Sequence, residues 1–291
     1  MQLPNFLVIG APKSGTTSLY QYLRAHPQVF MSSLKESYFF NRPYHYKDPQ
    51  RLAEYSALFQ NASEQDIAIG EACAQYIYNP KTPGRIHSLI PDVKLIAILR
   101  DPAERMYSEY LMACRTGEIA DFPDEHELEN SFLEFLKKPE LNANKYYFQS
   151  LKPYLETFDR SQIKVFLFED LKQDIEKLLR DTFEFLEVDR NVEISVSNKV
   201  YNKGGIPKNK VLFRTLETLR SSSRKHLATI FPESVYAKIR DGYSNLRMAN
   251  MQSKSPKLSS ETRKQIIDLH RHDISQLQDF LGRDLSSWLT Y

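Results

Sequence analysis

Three short apolar runs punctuate the chain: Phe6 to Ile9, Leu95 to Leu99 and Ile163 to Phe168. Each is bounded by polar or turn residues and followed by a helical pattern, which is how buried parallel strands of βαβ units read. Ile67-Ala68-Ile69-Gly70-Glu71 is a fourth candidate strand. Thr82-Pro83 predicts a helix start, a cap followed by proline in the first turn. Asp101-Pro102-Ala103-Glu104 predicts another, with Glu104 placed to close a capping box. From Ser259 onward, Ile266, Ile267, Leu269, Ile274, Leu277 and Leu281 form the apolar stripe of an amphipathic helix. No internal repeat divides the chain. The pattern predicts an α/β fold, a central parallel β-sheet flanked by helices with helical additions, as a single domain over 1–291.

The stretch Gly10-Ala11-Pro12-Lys13-Ser14-Gly15-Thr16-Thr17 directly follows the first run and directly precedes a helical pattern that starts at Ser18. Strand, glycine turn and helix start bring backbone N–H groups and the positive end of a helix dipole onto one anion. The two glycines have the Walker A spacing, G-x-x-x-x-G-K-[ST], so the sheet is expected to be of the P-loop type. The lysine is displaced. Lys13 stands two residues before the second glycine, and Thr16 fills the usual lysine slot. That displacement points away from ATP and GTP. The loop reads as a 5′-phosphate site in which Lys13 reaches the bound group while Ser14, Gly15, Thr16, Thr17 and Ser18 surround it. The alternative is a plain strand-to-helix turn.

Three further constellations carry candidate chemistry. Arg100 ends a predicted strand, where ligands of open α/β sheets gather, and an arginine there can grip a phosphate bidentately. Ser108, about two turns into the following helix, can face the same crevice. Alternatively, Arg100 pairs with Asp101 or Glu104. In Lys35-Glu36-Ser37-Tyr38-Phe39-Phe40, a carboxylate beside a lysine leads into aromatics, a setting for a general base; the alternative is a structural ion pair. Lys203 and Gly204 belong to a loop that can close over a nucleotide. Beyond it, Leu212, Phe213, Leu216 and Leu219 form one helical face beside basic residues, which also fits a membrane-surface helix or a packed one.

Composition narrows the partners. The 291 residues carry a net charge of only +2, which gives no general attraction to nucleic acid. The 117–130 stretch is acidic and expected to be an exposed irregular insertion. The 199–225 stretch is basic, with eight Lys or Arg against one Glu. No apolar run approaches the roughly 20 residues of a membrane span, and no leader is expected before the first strand. Cys73 and Cys114 make neither a disulfide framework nor a metal cluster, and His270 and His272 point to different helix faces. A cytoplasmic protein without bound metal is expected; a trimmed domain of an anchored enzyme would share the pattern.

Together these residues resemble the sulfotransferases that use 3′-phosphoadenosine 5′-phosphosulfate (PAPS). Pro12 to Thr17 resembles their 5′-phosphosulfate loop, and Arg100-Asp101-Pro102 with Ser108 their 3′-phosphate motif. Lys203-Gly204 is similar to their late nucleotide loop. The final helix and Trp288 are similar to bacterial members. Glu36 with Phe39-Phe40, and Glu71 with Tyr76 to Lys81, resemble the heparan sulfate branch. The resemblance implies sulfuryl transfer from PAPS without metal, Glu36 as general base and Lys13 as the charge-balancing catalytic group. It also implies Lys35, Phe39, Glu71 and Tyr76 on the acceptor side. The branch usually has a lysine where this chain has Ala72, so Lys35 is the candidate replacement. The near-neutral charge favours a carbohydrate or small hydroxylated acceptor over a highly sulfated polymer. A P-loop kinase or NTPase, or a non-catalytic nucleotide- or membrane-binding protein, is the alternative.

Overall fold

Strand β1 (Phe6–Gly10) is buried along its whole length. It pairs in parallel with β3 (Ala68–Ala72) on one side and β4 (Lys94–Leu99) on the other. Adding β2 (Val29–Met31) and β5 (Ile163–Leu167) gives a parallel sheet in the order β2-β3-β1-β4-β5. The computed structural model describes residues 1–116, 123–124, 126–138, 146–194, 206–216, 218, 235, 242–243, 245–246, 249–252 and 257–291. The runs of β1 and β4 are continuous because strands covered on both faces have no solvent side to alternate with; β5, at the sheet edge, carries Lys164 and is only partly buried. Phe6, Val8, Ile96 and Ile98 pack with Leu19 and Leu23 of α1 (Thr16–Arg24) and with Leu179 and Phe183 of α8 (Ile175–Leu186). Gly70 is required here: a Cβ would lie 2.1 Å from the Phe6 ring.

The connection after β1 leaves toward β2, and the one after β4 leaves toward β5. The chain therefore diverges between β1 and β4, and the crevice at such a switch point is where open α/β sheets bind ligands. The Gly10–Thr17 loop follows the first of these strands and Arg100 the second.

Between the strands run α2 (Pro49–Ala57), α3 (Thr82–Leu89), α4 (Pro102–Thr116), α5 (Leu128–Leu136) and α6 (Tyr147–Leu155); α7 (Phe168–Gln173) directly follows β5, and α9 (Ser260–Leu281) comes last. Several sequence expectations change at their edges. Phe168 opens α7 instead of closing β5. Thr82 is the first residue of α3, and its hydroxyl donates to Asn41 Oδ1 at 2.7 Å instead of capping. Asp101 does cap α4, accepting from the Glu104 N–H at 3.0 Å, but Glu104 turns to Arg100, so the reciprocal half of the box is not formed. Leu269 is 70% exposed, while His270 is buried in its stead.

The chain forms two compact units, one of residues 1–106, 136–201 and 260–291, the other of 107–135 and 202–259. The first contains the sheet. In the second, Tyr107, Tyr110 and Phe135 surround Phe132, and Lys210 Nζ donates to Asp124 at 2.7 Å. The expected irregular insertion is helical from Leu128, because Leu128, Phe132 and Phe135 bury one face. Of the expected basic segment, 210–216 is helical, with Phe213 buried but Leu212 43% exposed. The predicted apolar face is thus only partly covered. Leu219, Lys203 and Gly204 lie outside the described residues.

Candidate functional site

The loop after β1 ends on Gly15, the residue preceding α1, with φ of 97°. That left-handed backbone favours glycine, and a Cβ would also meet Leu171 at 2.8 Å and Phe168 at 3.2 Å. Gly15→Ala is expected to cost at least the roughly 1–2 kcal/mol of a left-handed alanine, seen as a lower denaturant midpoint. Among the described residues, no side chain caps α1, and its first turn carries no acidic residue. Its leading N–H groups therefore present partial positive charge without a built-in anion. The Ser14 hydroxyl is fully buried near the Tyr147 hydroxyl, yet makes no well-formed hydrogen bond among the described residues. A buried polar atom left this way costs free energy unless a ligand or water satisfies it. Lys13 sits half-buried in the same loop, at φ of 66°.

Arg100 adjoins this loop. Its Nη1 donates to the Lys13 carbonyl at 3.2 Å, and its guanidinium lies 4.7 Å from the centre of the Phe168 ring. Its Nη2 donates to Glu104 at 3.0 Å, so the pairing foreseen as an alternative exists alongside the contact with the loop. The Tyr147 hydroxyl donates to the Arg100 carbonyl at 2.8 Å. Burial raises the Tyr147 hydroxyl above its ordinary value and keeps it a proton donor.

Glu36 hangs from the end of β3. Its N–H donates to the Ala72 carbonyl at 2.9 Å, and its Oε2 accepts from the Ala74 N–H at 2.9 Å. Lys35 Nζ donates to Oε1 at 2.5 Å. Both side chains are about a quarter exposed, at 23% and 28%, so the carboxylate is held yet reachable. Glu36 adopts a φ of 62° and Tyr38 one of 57°, costly conformations for such residues that persist only when their surroundings impose them.

Those surroundings are built on Glu71. Its carboxylate is fully buried and accepts from the hydroxyls of Ser37, Tyr55 and Tyr76. Burial raises its pKa despite these three donors, and the nearby Glu36 charge adds to the rise. Desolvation also raises Tyr55 and Tyr76 well above 10. Phe39 stacks on Tyr55 with ring centres 3.9 Å apart and is buried. Of the residues expected on the acceptor side, Lys35 is accessible, whereas Phe39, Glu71 and Tyr76 lie beneath the surface.

Glu36, the loop from Lys13 to Ser18, and Arg100 thus sit at the carboxyl ends of β3, β1 and β4, three neighbouring strands. Ser108 is part of α4 in the second unit. Sequence reasoning missed Tyr147, Tyr55, Ser37 and Phe168. Only Ser37 and Phe168, which lie within stretches already singled out (Lys35 to Phe40 and Ile163 to Phe168), offered any signal. Among the described residues, no group of three His, Cys, Asp or Glu side chains is placed to hold a metal, and no helix is long and apolar enough to cross a membrane.

The family model described as "Sulfotransferase domain" matches residues 3–203. Over 108 residues the chain is 44% identical to the membrane-associated sulfotransferase kil1 of Dictyostelium discoideum, covering 37% of this chain and 22% of that protein. Over 109 residues it is 38% identical to the heparan sulfate glucosamine 3-O-sulfotransferase 3A1 of Mus musculus, covering 38% of this chain and 26% of that one. The chain spans less than half the length of these curated relatives. A solved sulfotransferase from Alicyclobacillus acidocaldarius shares the fold, with a TM-score of 0.67, 23% identity and 99% of both chains covered.

Proposed function

The chain belongs to the sulfotransferase family, and from that premise we propose that it moves the sulfuryl group of PAPS to a hydroxyl or amine of a carbohydrate or small-molecule acceptor. The observation that carries this reading is the meeting, at one switch point, of an uncapped helix N-terminus, Arg100 and a buried Ser14 hydroxyl that makes no well-formed hydrogen bond among the described residues. Those groups fit a nucleotide with phosphate at both ends. PAPS supplies an activated sulfuryl group on its 5′-phosphate. The N–H groups of Thr16, Thr17 and Ser18, with the Ser14 hydroxyl, hold the 5′-phosphate; Gly15 allows the close approach. The Lys13 ammonium balances the charge that grows on the bridging oxygen. Arg100 grips the 3′-phosphate, with Ser108, Lys203 and Gly204 assigned to the same nucleotide end. Glu36 takes the proton of the acceptor.

Lys35 supplies the positive charge that Ala72 does not, and it is the acceptor-side residue most exposed to a ligand. We assign Glu71, Tyr76 and Phe39 a positioning role beneath Glu36 in place of acceptor contact. A cytoplasmic setting belongs to the same reading, supported by two buried free thiols, Cys73 and Cys114.

Calorimetry without metal, comparing 3′-phosphoadenosine 5′-phosphate (PAP) with ATP, tests the nucleotide. PAP is expected to bind and ATP to bind far more weakly; tight ATP binding with none for PAP would overturn the reading. Arg100→Ala is expected to weaken PAP binding by about 1.5–3 kcal/mol, the worth of a hydrogen bond to a charged group. Adenosine 5′-phosphate, which lacks the 3′-phosphate, should bind both proteins alike.

A further inference from the structure

Helix α9 lies beyond residue 203, where the family match ends, yet it reaches the turn that carries Arg100. Arg263 Nη2 donates to Asp101 Oδ2 at 2.5 Å and its Nη1 to Oδ1 at 3.2 Å. The two side chains are only 17% and 9% exposed, so solvent screens the pair weakly. The same guanidinium donates to the carbonyls of Thr290 at 2.7 Å and Trp288 at 3.4 Å, which orients it from behind. Asp101 Oδ1 meanwhile accepts from the Glu104 N–H and so starts α4.

A second route runs from the same helix. Asp273 accepts from the N–H groups of Phe148 and Gln149 at 3.2 and 3.0 Å, in the first turn of α6. The first residue of α6, Tyr147, donates its hydroxyl to the Arg100 carbonyl at 2.8 Å. Arg100 is thus tied to α9 through its own carbonyl and through the residue that follows it. Between those ties its guanidinium is fixed against the Lys13 carbonyl and the Phe168 ring.

We propose that Arg263 is a positioning residue for the nucleotide's 3′-phosphate, acting through Asp101 to hold Arg100 beside the β1 loop. The inference rests on the assignment of Arg100 to the 3′-phosphate. The planar guanidinium engages both oxygens of Asp101 at once, fixing the carboxylate's plane as well as its position. Asp101 in turn sets the direction in which the chain leaves β4, and with it the point from which the Arg100 side chain projects.

The test is calorimetry on the full chain with PAP and with adenosine 5′-phosphate. Arg263→Met is expected to weaken PAP by about tenfold to a hundredfold, the scale of an ångström-sized misplacement, and to leave adenosine 5′-phosphate unchanged. A merely structural arginine would weaken both nucleotides alike, so the ratio of the two affinities is the deciding quantity. If Arg263→Met does not fold, Arg263→Lys is measured in its place: it keeps the charge, loses the planar fork, and should shift the ratio in the same direction. Equal loss for both nucleotides, or loss for neither, overturns the inference. Arg100→Ala is measured alongside. If that variant leaves the ratio unaltered, the assignment of Arg100 has failed and the inference fails with it. If only the Arg263 variants leave it unaltered, Arg100 stands and Arg263 does not.

Discussion

Glu36→Gln is expected to lower kcat for sulfuryl transfer by about a hundredfold to ten-thousandfold, the range a positioned general base contributes. PAP affinity should be unchanged, because no nucleotide-binding group is touched. The variant keeps the volume, and its carbonyl oxygen still accepts from the Ala74 N–H that now holds Oε2. What disappears is the basic oxygen and the charge that Lys35 answers at 2.5 Å. A Glu36→Ala variant separates the two contributions. It removes the tether to Ala74 as well, and so is expected to loosen the left-handed turn at residues 36 and 38. Transfer measured with isotope-labelled PAPS reads the result directly. Unchanged turnover in Glu36→Gln would remove Glu36 from the chemistry and leave the Lys35–Glu36 pair as structure alone.

Much of this arrangement is legible in the sequence, for identifiable reasons. Strands β1 and β4, inside the sheet, are buried on both faces from Phe6 to Gly10 and from Leu95 to Leu99 and so read as unbroken apolar runs, and Gly10 to Thr17 combines several local signals within a few residues. β2 is three residues long and at the sheet edge, too short to show any period. The environment of Glu36 is a different matter. A lysine beside a glutamate suggests an ion pair, and the pair forms. Nothing in the local pattern reveals that the carboxylate is also tethered 38 residues away, at Ala74. Glu71 ends an apolar run, and its placement under the surface depends on Ser37, Tyr55 and Tyr76, which come from three separate segments. The bond between Arg263 and Asp101 spans 162 residues. Contacts of this kind are set by which elements pack together, a property of the whole sheet and its covering helices that no short window contains.

Glu71→Leu is expected to destabilise the chain by about 2–4 kcal/mol, chiefly through buried hydroxyls left without an acceptor. The Ser37 and Tyr76 hydroxyls, 3.1 Å apart, can still bond each other; Tyr55 has no such recourse among the described residues, and its hydroxyl is fully buried. Because Ser37 is the next residue after Glu36, kcat should fall as well, while PAP affinity holds. The isosteric Glu71→Gln isolates the charge. Burial raises the folded-state pKa of Glu71 above its ordinary value, so folding favours the protonated form. The stabilising contribution is complete below the unfolded-state value, is lost as pH rises through the raised folded-state value, and does not change above it. Urea midpoints across that window should therefore fall with rising pH for the natural chain, and fall less for Glu71→Gln, which has no proton to lose. The opposite slope, with stability growing as pH rises through the window, would mean that the three hydroxyl donors outweigh desolvation and that Glu71 is a stabilised anion. Glu71 would then present a second negative charge to Glu36, and Lys35 would be needed to offset both.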